Sequence, residues 1–293
     1  MAEKIENVVV VGGGTMGSGI AQLLIEKSIP VTLIELDSGR VEVARNAIAK
    51  GLRDKYSHSK VALSEAEISH SIATAMSYLA SNVGIASLSK MIAPELVIET
   101  VVEDIAIKSM VLGEIEEGFP EAKVIASNTS SLSISALGAT LSDPSKFLGM
   151  HFFNPVPRSS LVEIVLGPQT SDNVTSAVRD FVEKIGLESI LVHDSPGFAT
   201  SRLGVAIGLE AIRMLEEGVA SAEDIDRGMV LGYKFPLGPL KLTDLVGLDV
   251  RLAISKYLES TLGPRFCPPK LLIDKVSRGE LGKKSGRGFY DWP

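Results

Sequence analysis

Residues 8–21, Val8-Val9-Val10-Val11-Gly12-Gly13-Gly14-Thr15-Met16-Gly17-Ser18-Gly19-Ile20-Ala21, decide the fold. Four valines in a row read as a strand buried on both faces, as in a parallel sheet covered by helices. The run breaks at Gly12, and Gly12-x-Gly14-x-x-Gly17 leads into Gly19-Ile20-Ala21-Gln22-Leu23-Leu24, an apolar helical start. In such a turn Gly12 permits the tight bend, Gly14 lets backbone approach a pyrophosphate, and Gly17 packs helix against strand. The helix N-terminus, with its unpaired N–H groups and positive dipole end, then receives the anion. A second apolar strand, Pro30-Val31-Thr32-Leu33-Ile34, ends in Glu35, 18 residues after Gly17. An acid at that place accepts hydrogen bonds from an adenosine ribose. The stretch predicts a dinucleotide site. Glu35 favours NAD, because a carboxylate repels a 2′-phosphate, and Arg40 is the one nearby cation that could soften this.

The chain has 293 residues, enough for one large domain or two. Its composition, 45% hydrophobic and 22% charged, is that of an ordinary soluble globular protein. A net charge of −7 argues against wholesale nucleic-acid binding but leaves room for a local anion pocket. One cysteine, Cys267, gives neither an internal disulfide nor a thiolate cluster for a metal, which fits a reducing cytoplasm. The N-terminus enters the first strand at once, leaving no room for a signal peptide, and no apolar run reaches the length of a membrane span.

Downstream of Glu35, Asp37-Ser38 caps a helix expected from Gly39 to about Ser57. Six cations (Arg40, Arg45, Lys50, Arg53, Lys55, Lys60) face only Glu42 and Asp54 in this region. They read either as a solvated helix or as a basic surface for a phosphorylated substrate, and they form no clean stripe. His58 and His70 lie in polar sequence and read as surface residues. Glu95–Glu99 and Lys123–Ser127 read as further strands, with a helix over 106–117 between them. Their carboxyl ends, Thr100-Val101-Val102-Glu103-Asp104 and Asn128-Thr129-Ser130-Ser131, lie where open α/β sheets bind ligands. The second can equally be a helix cap.

Phe147-Leu148-Gly149-Met150-His151-Phe152-Phe153-Asn154-Pro155-Val156-Pro157 places a histidine in an apolar strand. The next strand, Leu161-Val162-Glu163-Ile164-Val165, carries an acid in the same kind of setting. Desolvating either alone is costly, so pairing is the physical reason for both. A carboxylate beside the ring would also steady an imidazolium formed on proton abstraction. Spacing alone leaves a catalytic pair and a structural pair equally open.

After an amphipathic helix (172–185) and a last strand (188–192), the pattern turns wholly helical. Helices are expected over 199–217, from 222, over 243–261 and over 269–278, ending in a loop-like tail with aromatic anchors. The change places a domain boundary near 193–197, with His193 in a linker role.

On these residues the chain resembles the L-3-hydroxyacyl-CoA dehydrogenases, nearest the bacterial 3-hydroxybutyryl-CoA enzymes, from end to end. Beyond the glycine fingerprint the resemblance rests on Ser-Asn-Thr-Ser-Ser-Leu (127–132), His-Phe-Phe-Asn-Pro-Val-Pro (151–157), Asp-Ser-Pro-Gly-Phe (194–198) and Gly-Lys-Lys-Ser-Gly-Arg-Gly-Phe-Tyr (282–290). It implies an α/β Rossmann-type N-terminal domain (1–193) and an all-α C-terminal domain (194–293) that mediates homodimerisation. It also implies NAD as cofactor and an acyl-CoA substrate, with no metal, nucleic acid or membrane.

His151 would then match the family's catalytic base, Glu163 its orienting acid, and Ser130 the serine on the substrate's C3 oxygen. Thr15 and Met16 join the glycines and Glu35 at the cofactor, as do Glu103, Lys108 and Asn128. Asn154 and Ser201 fall on the substrate side. Ser201 departs from the asparagine that many relatives carry after Pro-Gly-Phe, so it can reach the same oxygen only through a shifted backbone or a water. The alternatives are a dehydrogenase of a free 3-hydroxy acid, such as a sugar acid, or a non-catalytic NAD-binding protein of crystallin type.

Overall fold

A computed structural model describes residues 4–59, 62–88 and 92–293. The chain divides into two compact units, residues 1–194 and 195–293. In chain order the first runs β1 (Val8–Val11), α1 (Thr15–Glu26), β2 (Val31–Glu35), α2 (Ser38–Ser57), α3 (Glu65–Met76), β3 (Leu79–Val83) and β4 (Leu96–Glu99). It continues with α4 (Ile105–Gly118), β5 (Val124–Ser127), α5 (Ile134–Gly138), β6 (Phe147–Phe152), β7 (Leu161–Leu166), α6 (Asp172–Lys184) and β8 (Glu188–His193).

These strands form an eight-stranded sheet in the order β3-β2-β1-β4-β5-β6-β7-β8. β1 is central, with Val8 beside both Val31 and Leu96 in parallel register. That position explains the unbroken valines: all four are buried, because both faces and both edges of the strand are covered. The sheet reverses direction between β6 and β7, which pair antiparallel. Its core joins Val8, Val10, Leu33, Leu96, Ile98, Met150 and Ile164 to helix residues such as Ile20, Leu24, Ile48 and Phe181. This is a Rossmann-type α/β unit.

Local chemistry explains most element ends. Asp37 Oδ1 accepts from Arg40 N at 2.8 Å and opens α2, whose buried stripe is Ala44, Ile48 and Leu52. The first helix starts at Thr15, ahead of its apolar run, so Gly17 lies inside it. The sequence reading contained neither α3 nor β3. In α3 only Ile68 and Ala75 are buried, too few to mark a period, although Ser64 and Glu67 form a reciprocal cap at its start.

The second unit is helical: α7 (Thr200–Glu216), α8 (Ala222–Gly232), α9 (Pro239–Val246), α10 (Leu248–Leu262) and α11 (Lys270–Ser277). One helix was expected over 243–261. The chain instead breaks at Gly247, whose φ of +103° no helix accommodates. Two buried carboxylates knit this unit together. Asp244 accepts from Phe289 N, Tyr290 N and Trp292 Nε1 at 2.8–2.9 Å, and Asp226 accepts from Leu240 N, Lys241 N and Tyr290 Oη. Val205, Leu209, Ile212, Leu240, Leu248 and Leu258 fill the core between helices. Among the described residues no helix is long and apolar enough to cross a membrane.

Candidate active site

The glycine turn between β1 and α1 is built for close approach. A Cβ on Gly17 would overlap the Gly12 carbonyl oxygen, which is how the helix reaches so near the strand end. Over Gly14, by contrast, a Cβ would meet nothing within 4 Å. Gly14 is also the N-cap of α1 and offers no side chain to the first N–H groups of the helix, those of Thr15 and Met16 included. Glu35 ends β2 beside this turn. Its Oε1 accepts from Gly13 N at 2.6 Å and its Oε2 from Leu36 N at 3.0 Å. Open space, helix N–H groups without a side-chain cap among the described residues, and a flanking carboxylate fit a dinucleotide.

A cleft of about 970 Å³ extends from this turn, lined among others by Gly14, Thr15, Gly51, Lys55, His58 and Arg158. The cations of α2 are mostly committed elsewhere. Arg40 pairs with Asp37, Arg53 with Glu65 and Lys55 with Glu26, while Arg45 holds Leu79 O and Ser81 Oγ of β3. Lys60 lies outside the described residues. His58 and His70 are exposed, and so is His193 at the end of β8.

The carboxyl ends of β4 and β5 carry a polar network. Glu99 is fully buried; its Oε1 accepts from Lys108 Nζ at 2.7 Å and Val101 N at 2.6 Å, and its Oε2 from Ser127 Oγ at 2.6 Å. Lys108 is itself 1% exposed, also bonds Val101 O, and lies 3.5 Å from Glu103 Oε2. Lys108 therefore reaches the surface only through Glu103.

Glu103 Oε1 accepts from Thr129 Oγ1 at 2.7 Å, Ser130 N at 3.0 Å and Ser131 N at 3.1 Å, with the hydroxyls of Ser130 and Ser131 at 3.3 and 3.1 Å. Partial burial pushes its carboxyl up, but the Thr129 hydroxyl, the Lys108 charge and the serine donors outweigh it and hold the pKa below the ordinary 4.5. Asn128 Oδ1 accepts from Phe152 N at 2.9 Å, tying β5 to β6.

On β6 and β7, His151 and Glu163 are direct partners in the antiparallel register. His151 Nδ1 lies 2.7 Å from Glu163 Oε2, and the residues are 7% and 0% exposed. The Phe153 ring packs against the imidazole at 4.6 Å, tilted by 48°. Asn154 is exposed in the turn that follows.

Both units match one family along nearly the whole chain. Residues 7–195 match the NAD binding domain of 3-hydroxyacyl-CoA dehydrogenase, and residues 197–292 its C-terminal domain. The chain belongs to the 3-hydroxyacyl-CoA dehydrogenase family. The 3-hydroxybutyryl-CoA dehydrogenase of Mycobacterium tuberculosis is 40% identical over 296 residues, covering 100% of each chain. The mitochondrial hydroxyacyl-coenzyme A dehydrogenase of Homo sapiens is 34% identical over 290 residues, 98% of this chain and 91% of its own. The crystal structure of (S)-3-hydroxybutyryl-CoA dehydrogenase from Ralstonia eutropha superposes with a TM-score of 0.90 at 37% identity, covering 99% of this chain and 100% of that one.

In this family member Ser201 occupies the first turn of α7, half-buried, next to Arg202, whose guanidinium donates to Ser195 Oγ at 3.3 Å. Two residues that organise the NAD-binding unit escaped the sequence reading. Glu99 is one, although an acid closing an apolar strand is the signal that marks Glu35. Asp194 is the other: it accepts from Ser133 Oγ and Ser135 N at 2.7 and 2.8 Å and so fixes the segment after Ser130.

Proposed function

We propose that this chain oxidises the 3-hydroxyl of a (3S)-hydroxyacyl-CoA, such as 3-hydroxybutyryl-CoA, to the 3-ketoacyl-CoA, and runs the reverse reaction, with His151 as acid and base. The observation that carries this reading is the 2.7 Å contact of His151 Nδ1 with Glu163. With Glu163 ionised, Nδ1 holds a proton and Nε2 keeps the lone pair that abstracts the hydroxyl proton. Glu163 then stabilises the imidazolium, and in reduction the protonated ring returns its proton to the oxygen. Ser130 donates a hydrogen bond to that oxygen. Bound NAD supplies the hydride acceptor.

The glycine turn with Thr15 and Met16 holds the pyrophosphate, and Glu35 the ribose. Glu103, Lys108 and Asn128 belong to the cofactor side, Lys108 acting from behind Glu103. Asn154 and Ser201 serve the substrate. The cleft past His58 and Arg158, with Lys55 on its wall held by Glu26, suits the phosphorylated end of coenzyme A.

In the same reading the protein is a cytoplasmic homodimer joined through its helical unit. The apolar side chains left exposed there, Leu203, Leu231, Tyr233, Leu242 and Leu245, support this.

The test is NADH consumption with acetoacetyl-CoA, run beside free acetoacetate and beside NADPH. Turnover that requires both the thioester and NADH is the expected result. Equal turnover of free acetoacetate moves the sugar-acid type of activity ahead, and NADH binding without turnover moves the crystallin type ahead.

A further inference from the structure

The oxygen that Ser130 is assigned to hold has a competitor inside the protein. Glu103 Oε1 collects hydrogen bonds from three consecutive residues, Thr129, Ser130 and Ser131, two of them through both backbone and hydroxyl. Converging N–H and O–H donors of this kind form a receptor for a negative oxygen. The Ser130 hydroxyl has one proton, so it cannot serve Glu103 and a substrate oxygen together. Glu103 also has somewhere to go: its side chain is 38% exposed, and its second oxygen already lies 3.5 Å from Lys108 Nζ. Lys108 cannot follow it outward, being clamped by Glu99 and Val101 O.

We propose that Glu103 is a positioning residue that occupies the oxygen receptor of the Ser130 loop in place of the substrate and withdraws toward Lys108 when the substrate's C3 oxygen enters. This rests on the dehydrogenase reading above. While the site is empty, the carboxylate keeps Thr129, Ser130 and Ser131 aimed at one point, so the receptor is arranged before the substrate arrives. The cost is that a neutral ketone or hydroxyl must displace a charged acceptor, which is the stronger hydrogen-bond partner.

The test uses binding of acetoacetyl-CoA to the NAD-loaded protein, an oxidised pair that cannot react, measured by calorimetry. NADH affinity and melting temperature are followed separately. Glu103→Gln, a weaker acceptor, is expected to tighten acetoacetyl-CoA binding roughly five-fold. Glu103→Asp, too short to reach the receptor but still charged near Lys108, is expected to do the same. In a Ser130→Ala background the gain from either variant should shrink toward nothing, because the contested donor is gone. Unchanged or weaker acetoacetyl-CoA binding in both variants overturns the proposal. So does a change confined to NADH affinity, which would make Glu103 a cofactor contact alone. Because the readout is binding and not turnover, the two failures are told apart: an inactive wild-type protein sinks the dehydrogenase reading and this proposal with it, whereas unchanged acetoacetyl-CoA binding in the variants of an active enzyme sinks this proposal alone.

Discussion

His151 and Glu163 face each other across the β6–β7 ladder as register partners, their side-chain atoms 2.7 Å apart on the same face of the sheet. Their spacing is set by backbone hydrogen bonds, not by loop conformation.

His151→Ala should therefore lower kcat about 10²–10⁴-fold while NADH binding is kept. Glu163→Gln preserves the shape but removes the charge that orients Nδ1–H, and kcat should fall by at least about tenfold. Steady-state kinetics with acetoacetyl-CoA, and NADH titration by fluorescence, check both. Near wild-type turnover in His151→Ala would remove this residue from the mechanism.

The second and third glycines of the fingerprint, Gly14 and Gly17, should separate cofactor binding from folding. Gly14→Ala meets no atom in the free protein, so its melting temperature should hold while NADH affinity drops. Gly17→Ala collides with the Gly12 carbonyl and should destabilise the unit itself. Thermal melts with and without NADH distinguish the two.

Lys108→Met leaves the Glu99 carboxylate buried without its cation, a change expected to cost about 3–5 kcal/mol. Denaturant unfolding measures it. The combined Lys108→Met and Glu99→Gln variant should recover part of the loss, because no bare charge remains.

Arg251 is 5% exposed and its Nε has no hydrogen-bond partner among the described residues. Burial alone lowers its pKa from the ordinary guanidinium range to about 10. A buried cation without a carboxylate opposes folding, so Arg251→Met should raise the melting temperature at pH 7.5. For the wild type the unfolded chain holds this proton to higher pH than the folded one, so stability from this group rises as pH passes about 10. The advantage of Arg251→Met should then narrow at pH 10.5. A lower melting temperature at pH 7.5, together with dissociation in sedimentation, would mean that a second copy supplies the missing acceptor.

Glu103 gives the acid-side counterpart. Its folded pKa lies below the ordinary 4.5, so its contribution to stability is complete above 4.5 and is lost as pH falls through the lower value. The melting-temperature difference between wild type and Glu103→Gln should be largest near neutrality and should close below pH 4.5. A gap that persists at lower pH would contradict this assignment.

How much of this could be read from sequence depended on what kind of signal each part leaves. The Val8–Val11 run, the fingerprint and Glu35 are local and dense, so the strand, turn and helix were legible together. Two ionisable residues in apolar strands gave His151 and Glu163, because burial needs a reason. α3 was illegible since it buries only two side chains. The break at Gly247 was overlooked because apolar spacing continues through it. Glu99, Lys108 and Glu103 are 4–5 residues apart in sequence, yet what unites them is three-dimensional: Ser127 and the Ser130 loop arrive from the neighbouring strand.

The three donors that Asp244 receives from Phe289, Tyr290 and Trp292 make the final residues part of the helical core. Proteolytic loss of this segment would thus act as a denaturant: the removal of Trp292, then of Tyr290, then of Phe289 each strips a donor from a carboxylate that is 1% exposed. A tag or fusion spliced in place of residues 289–292 would open this clasp.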